Sequence, residues 1–377
     1  TGSAYMAWEW QRGLRSWMMP YFYAGVLEVL HWFDVSGYSA LRAVNLHNAL
    51  WTVLLVPAGY RIGRALGDKD VCPPERAGLA VALLMALLPT LNYFTPHALI
   101  GTPSMLFLVW GYVYWIEERV DPGDDLRQIL LAGFFFGLSG VIRSTTGMFM
   151  LIPIADLLWR HKHRALGGLL AGAAPWLILL GTLDWLSWGF PFHSLIEHFE
   201  YNYLEEGASH HGVADWHYYL SKSFLERLSW GLVPLVFLVL AAVKRTWPIT
   251  ASIVLVVGLL STVPHKEVRF LMYIWPLFAM SAGVGTARVW AFLDGHSTPR
   301  PVSGVVVAVL LGVLVGFNLV GTQKLHWREL AGQMSAQAWV GKQDDCFGLL
   351  TRIGRHHHGG YLVFDREVPL QQVRRID

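Results

Sequence analysis

A short run of ionisable side chains, His265-Lys266-Glu267-Val268-Arg269, lies directly between two apolar stretches. Burying three such charges at the centre of a bilayer would cost roughly 8–10 kcal/mol, at about 2.5–3.5 kcal/mol for each side chain. The run must therefore lie at a water-filled or protein-lined opening. There Lys266, Arg269 and a protonated His265 could neutralise a phosphate, while Glu267 holds one of the cations in place. The plainer alternative is a charged loop that only ends a helix.

A second region alternates aromatic rings with carboxylates and histidine, at Asp184 and along Asp215, Trp216, His217 and Tyr219. Rings can stack on the apolar faces of a sugar, while the polar groups form hydrogen bonds with its hydroxyls. The pattern is typical of a sugar site, and about equally of an aromatic belt at a membrane interface.

The N-terminal stretch places the carboxylate of Glu9 between the indoles of Trp8 and Trp10, with Arg12 and Arg15 a few residues later. A carboxylate in such partly dry surroundings could act as a general base. It could equally form an ion pair with Arg12 or Arg15 on a surface helix. We expect this stretch to form a wall of a substrate pocket.

Arg143 is a lone charge between two apolar segments. An ionisable residue inside a membrane protein is a candidate for function by default. The alternative is that its long side chain extends to the membrane surface, and the sequence favours neither.

The sequence predicts neither a metal nor a nucleotide cofactor. Its loop histidines lack HExxH or another recognised ligand spacing, and no GxGxxG or Walker motif is present. The net charge of +2 gives no reason to expect a nucleic-acid partner. An enzyme of this kind must receive an activated substrate that the membrane carries.

Composition indicates that the elements positioning these residues are membrane helices. Of the 377 residues, 54% are hydrophobic and only 15% are charged, against roughly 25% charged in an ordinary soluble domain. The apolar residues form blocks, which predicts an all-α polytopic membrane protein with about ten spans. The predicted spans are Ala43–Tyr60, Ala77–Leu91, Pro103–Trp115, Ile129–Val141, Met148–Trp159, Leu166–Leu183, Leu228–Val243, Ile249–Val263, Phe270–Leu293 and Val302–Val320.

The distribution of Lys and Arg predicts the orientation of this bundle. One set of alternate loops contains thirteen of these residues and the other set contains five, so the positive-inside rule makes the first set cytoplasmic. Three regions then follow: residues 1–42, a non-cytoplasmic loop with an interfacial helix over Pro20–Phe33; residues 43–320, the bundle, with non-cytoplasmic loops 184–227 and 264–269; and residues 321–377, a small non-cytoplasmic tail.

Several of these segments together resemble a known family. His265–Leu271 resembles the HKEERFL signature of the polyprenol-phosphate-mannose-dependent mannosyltransferases, glycosyltransferase family 22 of the GT-C superfamily, with Val268 where Glu is usual. Other segments are similar to the family's motifs in the same order: Trp8–Trp10 with Arg15-Ser16, Arg143–Thr145, Asp184–Gly189, His211–Leu220, and Gly359–Tyr361 with Val368-Pro369.

The resemblance implies a GT-C transmembrane bundle that transfers mannose from a polyprenyl (dolichyl) phosphate to a glycan or glycolipid acceptor, with inversion and without a metal. It places the site on the periplasmic or luminal face of a bacterial inner membrane or the endoplasmic reticulum. The family's catalytic Asp would precede residue 1, as would a first span, so we expect a chain truncated at both ends. Its base is then unknown, with Glu9 as a candidate. The implied substrate-binding residues are Trp10, Arg15, Arg143, Asp184, Asp215, Trp216, His217, Tyr219, His265, Lys266, Glu267 and Arg269.

Two other functions remain open at this point. A GT-C transferase could use another lipid-linked sugar, because a cluster of cations would recognise the phosphate and not the sugar. A polytopic transporter would also place charges inside a bundle, although we see no pair of interrupted helices from an internal repeat.

Overall fold

The computed structural model describes residues 8–68, 71–94, 101–123, 125–221, 229–295 and 300–323, with short pieces of the tail between 335 and 372. Nearly all of the described chain up to residue 323 is helical. The first helices are α1 (Trp8–Gln11), α2 (Met18–Trp32), α3 (Gly37–Val53), α4 (Leu55–Leu66), α5 (Pro74–Leu87), α6 (Pro89–Phe94) and α7 (Gly101–Val120). The later ones are α8 (Arg127–Ile142), α9 (Leu151–Trp159), α10 (His163–Trp188), α11 (His193–Phe199), α12 (Ser229–Thr262), α13 (Ile274–Gly295) and α14 (Arg300–Gln323).

Short irregular helices occur where the chain turns between these elements. Three are 3₁₀ segments, Ser144–Met150, Gly207–His211 and Val268–Leu271, and one is a π-helical turn, Glu200–Leu204. In the tail, β1 (Leu349–Thr351) pairs in parallel with β2 (Leu370–Gln372), with Leu349 opposite Leu370.

Helix α13 forms the centre of the bundle. All residues from Ile274 to Ala287 are buried, as expected of a helix that is apolar on every side and enclosed by other helices. It packs against α12 and α5, while α4 packs on α5 and α7 packs on α8. The run His265–Arg269 immediately precedes this helix, so the charged segment is attached to the most enclosed element of the fold.

Two helices of the described chain are long and apolar enough to cross a membrane, His163–Trp188 and Leu235–Thr262. Apolar side chains also face outwards, among them Ile178 and Leu186 of α10, which are 67% and 77% exposed. An outward apolar surface suits a protein whose solvent is lipid. The number of ten spans stays a prediction, as does the interfacial position of the segment that forms α2.

Two predicted boundaries are wrong. The apolar block Ala43–Tyr60 is divided between α3 and α4, which meet at Leu54. The predicted break between Val243 and Ile249 is absent, because α12 stays helical through Lys244 and Arg245. The guanidinium of Arg245 donates to the carbonyls of Leu66 and Gly67 at the end of α4, at 3.0 and 2.7 Å, so this charge stabilises a neighbouring helix end instead of interrupting its own helix.

Helices α8 and α10 approach each other closely through glycine. A Cβ atom on Gly133 would lie 1.9 Å from the carbonyl oxygen of Leu169, and one on Gly172 would lie 2.1 Å from that of Leu130. Small residues at such crossings allow backbones to come together. This contact holds α8 against α10, and Arg143 follows directly after α8.

Candidate active site

A cavity of about 950 Å³ opens where several segments meet. They are the N-terminal stretch, the 3₁₀ turn after α8, the segment after α10, and the chain that joins α12 to α13. Within the described residues it contains three arginines, two carboxylates, two histidines and a group of aromatic rings. Its ionisable lining residues other than tyrosines are Glu9, Arg15, Arg143, His198, His265, Glu267 and Arg269. Its rings are Trp8, Trp10, Phe149, Phe199, Tyr201, Tyr203, Tyr219, Phe270 and Tyr273.

The backbone at Glu267 separates the side chain of Glu267 from that of Lys266. Glu267 is in an extended conformation, with φ −134° and ψ 147°, and successive side chains of an extended segment point to opposite sides. Glu267 accordingly lines the cavity, as does His265, whereas Lys266 is buried, 7% exposed. Arg269 lines the cavity from the 3₁₀ segment Val268–Leu271 that follows.

Glu267 connects His265 and Arg269, which lie on either side of it. Its Oε1 lies 2.9 Å from Nε2 of His265 and accepts a hydrogen bond of 2.8 Å from Nη2 of Arg269, and its Oε2 pairs with Nε of Arg269. Burial alone would raise the pKa of Glu267, but these bonds outweigh burial and hold its pKa below the usual range. Glu267 is therefore an ionised residue that orients Arg269.

Two further arginines, Arg15 and Arg143, form no salt bridge in the described part of the chain, although the charge of Glu9 acts on Arg15. The guanidinium of Arg143 donates to Oγ1 of Thr145 at 3.2 Å and lies 5.8 Å from the centroids of Phe270 and Tyr273. Burial, then the charge of Arg143 and that of Arg269, lowers the pKa of Arg15. Positive charges that lie close enough to lower the pKa of Arg15 create a site that attracts an anion.

A buried hydroxyl network holds the backbone at Arg143. Oγ1 of Thr146 donates to the carbonyl of Arg143 at 2.8 Å and accepts from Oγ of Ser139 at 2.9 Å. Oγ of Ser104 lies 3.1 Å from Oγ of Ser139. This network joins α7, α8 and the 3₁₀ turn after α8, so Arg143 is fixed by three elements.

Arg12 fixes the N-terminal wall. Its Nη2 lies 2.6 Å from both carboxylate oxygens of Glu205, and its Nε lies 2.5 Å from Glu197. The guanidinium also lies 4.9 Å from the ring centroid of Tyr201. The alternative that Glu9 pairs with Arg12 is therefore wrong, and the side chain of Glu9 accepts no hydrogen bond from the described residues.

Lys266 does not line the cavity. Its Nζ donates to the carbonyls of Val263 and Ala214, at 2.6 and 2.9 Å, and the N–H of Ala214 donates to the carbonyl of Pro264 at 3.0 Å. The predicted phosphate contact of Lys266 is thus corrected to a structural one, because its ammonium already stabilises the contact between the two loops.

Asp184 is also away from the cavity. It is fully buried at the end of α10, where its Oδ2 accepts hydrogen bonds from the backbone N–H of Ser194, at 2.9 Å, and from the hydroxyl of Ser194, at 2.6 Å. Both donors lie in the first turn of α11, and a carboxylate there satisfies an unpaired N–H of the helix. Its predicted role in binding substrate is corrected to that of a helix cap.

The residues of the aromatic segment after residue 212 differ in whether they line the cavity. Asp215, Trp216 and His217 are exposed and outside the cavity, whereas Tyr219 is 1% exposed and lines it. Burial raises the pKa of Tyr219, so its hydroxyl stays protonated at neutral pH. The three exposed residues do not line the cavity. Their predicted contacts with substrate are therefore corrected to exposed positions in a loop.

From the wall formed by residues 198–203, sequence reasoning assigned only Asn202 to a possible sugar site and missed the rest. His198, Phe199, Tyr201, Asn202 and Tyr203 all line the cavity. The aromatic spacing was a signal, but it lies outside the motifs that carried the family resemblance. Within the described chain, no group of three or more His, Cys, Asp or Glu residues is arranged to hold a metal ion.

The crystal structure of ArnT from Cupriavidus metallidurans bound to undecaprenyl phosphate matches 97% of this chain and 76% of that chain, with a TM-score of 0.60 at 15% identity. The apo structure of the same protein matches with a TM-score of 0.58 at 15% identity, over 94% of this chain and 75% of that chain. This similarity shows the GT-C fold, as predicted.

Curated proteins similar to this chain in sequence include mannosyltransferases. GPI mannosyltransferase 3 of Debaryomyces hansenii is 24% identical over 305 residues, which cover 74% of this chain and 51% of that protein. Mannosyltransferase APTG1 of Arabidopsis thaliana is 26% identical over 307 residues, 76% of this chain and 52% of that protein. The chain spans about half the length of these relatives. The family model of the Alg9-like mannosyltransferases matches residues 1–326, and the chain therefore belongs to the Alg9-like mannosyltransferase family.

Proposed function

We propose that this protein is a membrane mannosyltransferase that moves mannose from a polyprenyl (dolichyl) phosphate to a hydroxyl of a glycan or glycolipid. The observation that supports this most strongly is the cavity, which combines Arg15, Arg143 and Arg269 with aromatic rings and the carboxylate of Glu9. Family membership and the names of the relatives point to the same reaction.

The arginines suit the phosphate of the lipid carrier. When the bond between C1 of mannose and the phosphate oxygen breaks, negative charge develops on the phosphate, and charge-assisted hydrogen bonds from guanidinium groups stabilise it. Arg15 and Arg143 form no salt bridge among the described residues, and both line the cavity, so both can donate to an anion there. A monophosphate leaving group is served by these cations without a metal.

The rings and carboxylate suit the sugar and the acceptor. Aromatic walls such as Trp8 and Tyr201, whose ring centroids lie 5.3 Å apart, can stack on sugar faces. In a single in-line step the acceptor hydroxyl attacks C1 with inversion, and a carboxylate takes its proton. Of the two carboxylates that line the cavity in the described chain, Glu267 is bound to His265 and Arg269, which leaves Glu9.

We place this site on the luminal or periplasmic side of the membrane. With Lys244 and Arg245 left out because they lie inside α12, the Lys and Arg residues of the two sets of loops number eleven and five, and this distribution supports that orientation. The contact of Ala214 with Pro264 supports the assignment of both loops to one face.

The reaction is tested with the full-length protein in proteoliposomes that contain polyprenyl phosphate carrying radiolabelled mannose and a mannosyl glycolipid acceptor. We expect label to move from carrier to acceptor, with a product anomer opposite to that of the donor. Movement of the intact carrier across the bilayer without cleavage would support a transporter instead. Transfer from a carrier with aminoarabinose, but not from one with mannose, would contradict the donor assignment.

A further inference from the structure

His198 lies on the cavity wall with no role in the reaction described so far. It is the penultimate residue of α11 (His193–Phe199), and the π-helical turn that follows brings Asn202 back beside it. Both side chains line the cavity. Nε2 of His198 has no hydrogen-bond partner among the described residues.

The amide of Asn202 determines which ring nitrogen of neutral His198 carries the proton. Nδ2 of Asn202 lies 2.8 Å from the carbonyl oxygen of His198, and a carbonyl oxygen only accepts, so this end of the amide must be the NH₂ group. The same Nδ2 lies 3.3 Å from Nδ1 of His198. Nδ1 therefore accepts the second hydrogen of the amide, and the ring proton is on Nε2.

The surroundings keep this ring neutral. Burial, then the charges of Arg15 and Arg143, lowers the pKa of His198 to about 4, because a third positive charge beside two guanidinium groups is unfavourable. At neutral pH the ring is an uncharged donor at Nε2, and its Nδ1 lone pair is occupied. The other charged or titratable groups of the cavity are Glu9, Tyr201, Tyr203, Tyr219, His265, Glu267, Arg269 and Tyr273.

We propose that neutral His198 donates a hydrogen bond from Nε2 to an oxygen of the bound substrate, either a phosphate oxygen of the lipid carrier or a hydroxyl of the sugar. The inference rests on the proposed function. It assigns His198 to substrate binding and excludes it as the general base, since neither nitrogen of the ring has a free lone pair. A neutral donor adds a hydrogen bond beside the arginines without adding repulsion.

The test compares three variants of the full-length protein whose folding is checked by thermal unfolding. His198→Ala should lower transfer by about 10- to 100-fold, as expected for a lost hydrogen bond to a polar or charged oxygen. His198→Gln should keep transfer within about threefold, because the glutamine NH₂ group can replace the Nε2–H donor. His163→Ala is the matched control, with an exposed histidine outside the cavity, and should retain normal transfer.

The pH dependence separates a donor from a base. Between about pH 5 and 8, His198→Gln and the unaltered protein should have profiles of the same shape, since glutamine does not titrate and His198 is already neutral there. A base at this position would make His198→Gln as defective as His198→Ala, which would overturn the proposal. Normal transfer by His198→Ala would also overturn it.

Binding of polyprenyl phosphate without a sugar identifies the recognised oxygen. Weaker binding to His198→Ala assigns the hydrogen bond to the phosphate, and unchanged binding with reduced transfer assigns it to a sugar hydroxyl. If the unaltered protein transfers no mannose, the proposed function fails. An active protein that is indifferent to His198→Ala overturns the His198 inference alone.

Discussion

Replacing Arg269 with alanine in the full-length protein should lower mannose transfer by about 10²–10³-fold, near 2.7–4 kcal/mol, the usual effect of losing one donor to a developing oxyanion. Arg269 lines the cavity and is oriented by Glu267. Arg269→Lys should recover only part of the rate, because lysine lacks the planar fork of donors. Glu267→Gln should reduce the rate less than Arg269→Ala, because Glu267 orients Arg269 and does not itself contact the phosphate.

The measurement is the initial rate of transfer from polyprenyl-phosphate-mannose, with the amount of folded protein equalised. Arg64→Ala is the matched control. The side chain of Arg64 is 54% exposed, close to the 52% of Arg269, and it forms a single ion pair of 3.9 Å, with Glu75. Its loss should leave the rate unchanged. Full activity of Arg269→Ala would contradict the assigned role of the charged run.

The second large effect is expected on the stability of the fold, when glycines at the contact of α8 with α10 are replaced. Gly133→Ala and Gly172→Ala should each destabilise the protein at or above the upper end of the 1–3 kcal/mol range typical of overpacking. Each new methyl group would meet a backbone carbonyl at about 2 Å, and backbone atoms cannot move aside as a side chain can. Thermal unfolding in detergent measures the loss.

Gly167→Ala provides the control on the same helix as Gly172. A Cβ atom at Gly167 would meet nothing within 4 Å, so this change should leave the melting temperature unchanged or raise it, because alanine favours a helix. Melting of Gly133→Ala at the temperature of Gly167→Ala would show that α8 and α10 do not cross as closely as described.

The sequence indicated cavity residues correctly where a charged residue lies between apolar segments. Arg143 and the His265–Arg269 run stood out because a charge between apolar segments needs a compensating environment, and both lie at the cavity. Lys266 could not be distinguished from Arg269 in the same way. Their separation depends on the extended backbone at Glu267 and on the carbonyl of Ala214, a residue 52 positions earlier in the chain.

Asp184 and Asp215 illustrate a second limit. Aromatic residues near a carboxylate suit a sugar site, a helix cap and an exposed loop alike, and tertiary contacts decide among them. Asp184 is a cap because the chain turns after α10 and brings the hydroxyl of Ser194 within hydrogen-bond distance of its carboxylate. The wall formed by His198 and Asn202 depends on the π-helical turn, which local propensity does not indicate.

The helices themselves followed from the apolar blocks, but their boundaries did not. Arg245 was expected to end a span, and instead it contacts the C-terminal carbonyls of α4. Contacts of that kind depend on the neighbouring helix, so the charge pattern of one segment cannot reveal them.

The most direct test of the central claim is a cryo-EM structure of the full-length protein with bound polyprenyl phosphate. The account predicts phosphate density among the guanidinium groups of Arg15, Arg143 and Arg269, with the polyprenyl chain leaving the cavity towards lipid. Phosphate bound away from these three arginines, with the cavity beside Glu9 and His198 empty, would contradict the account.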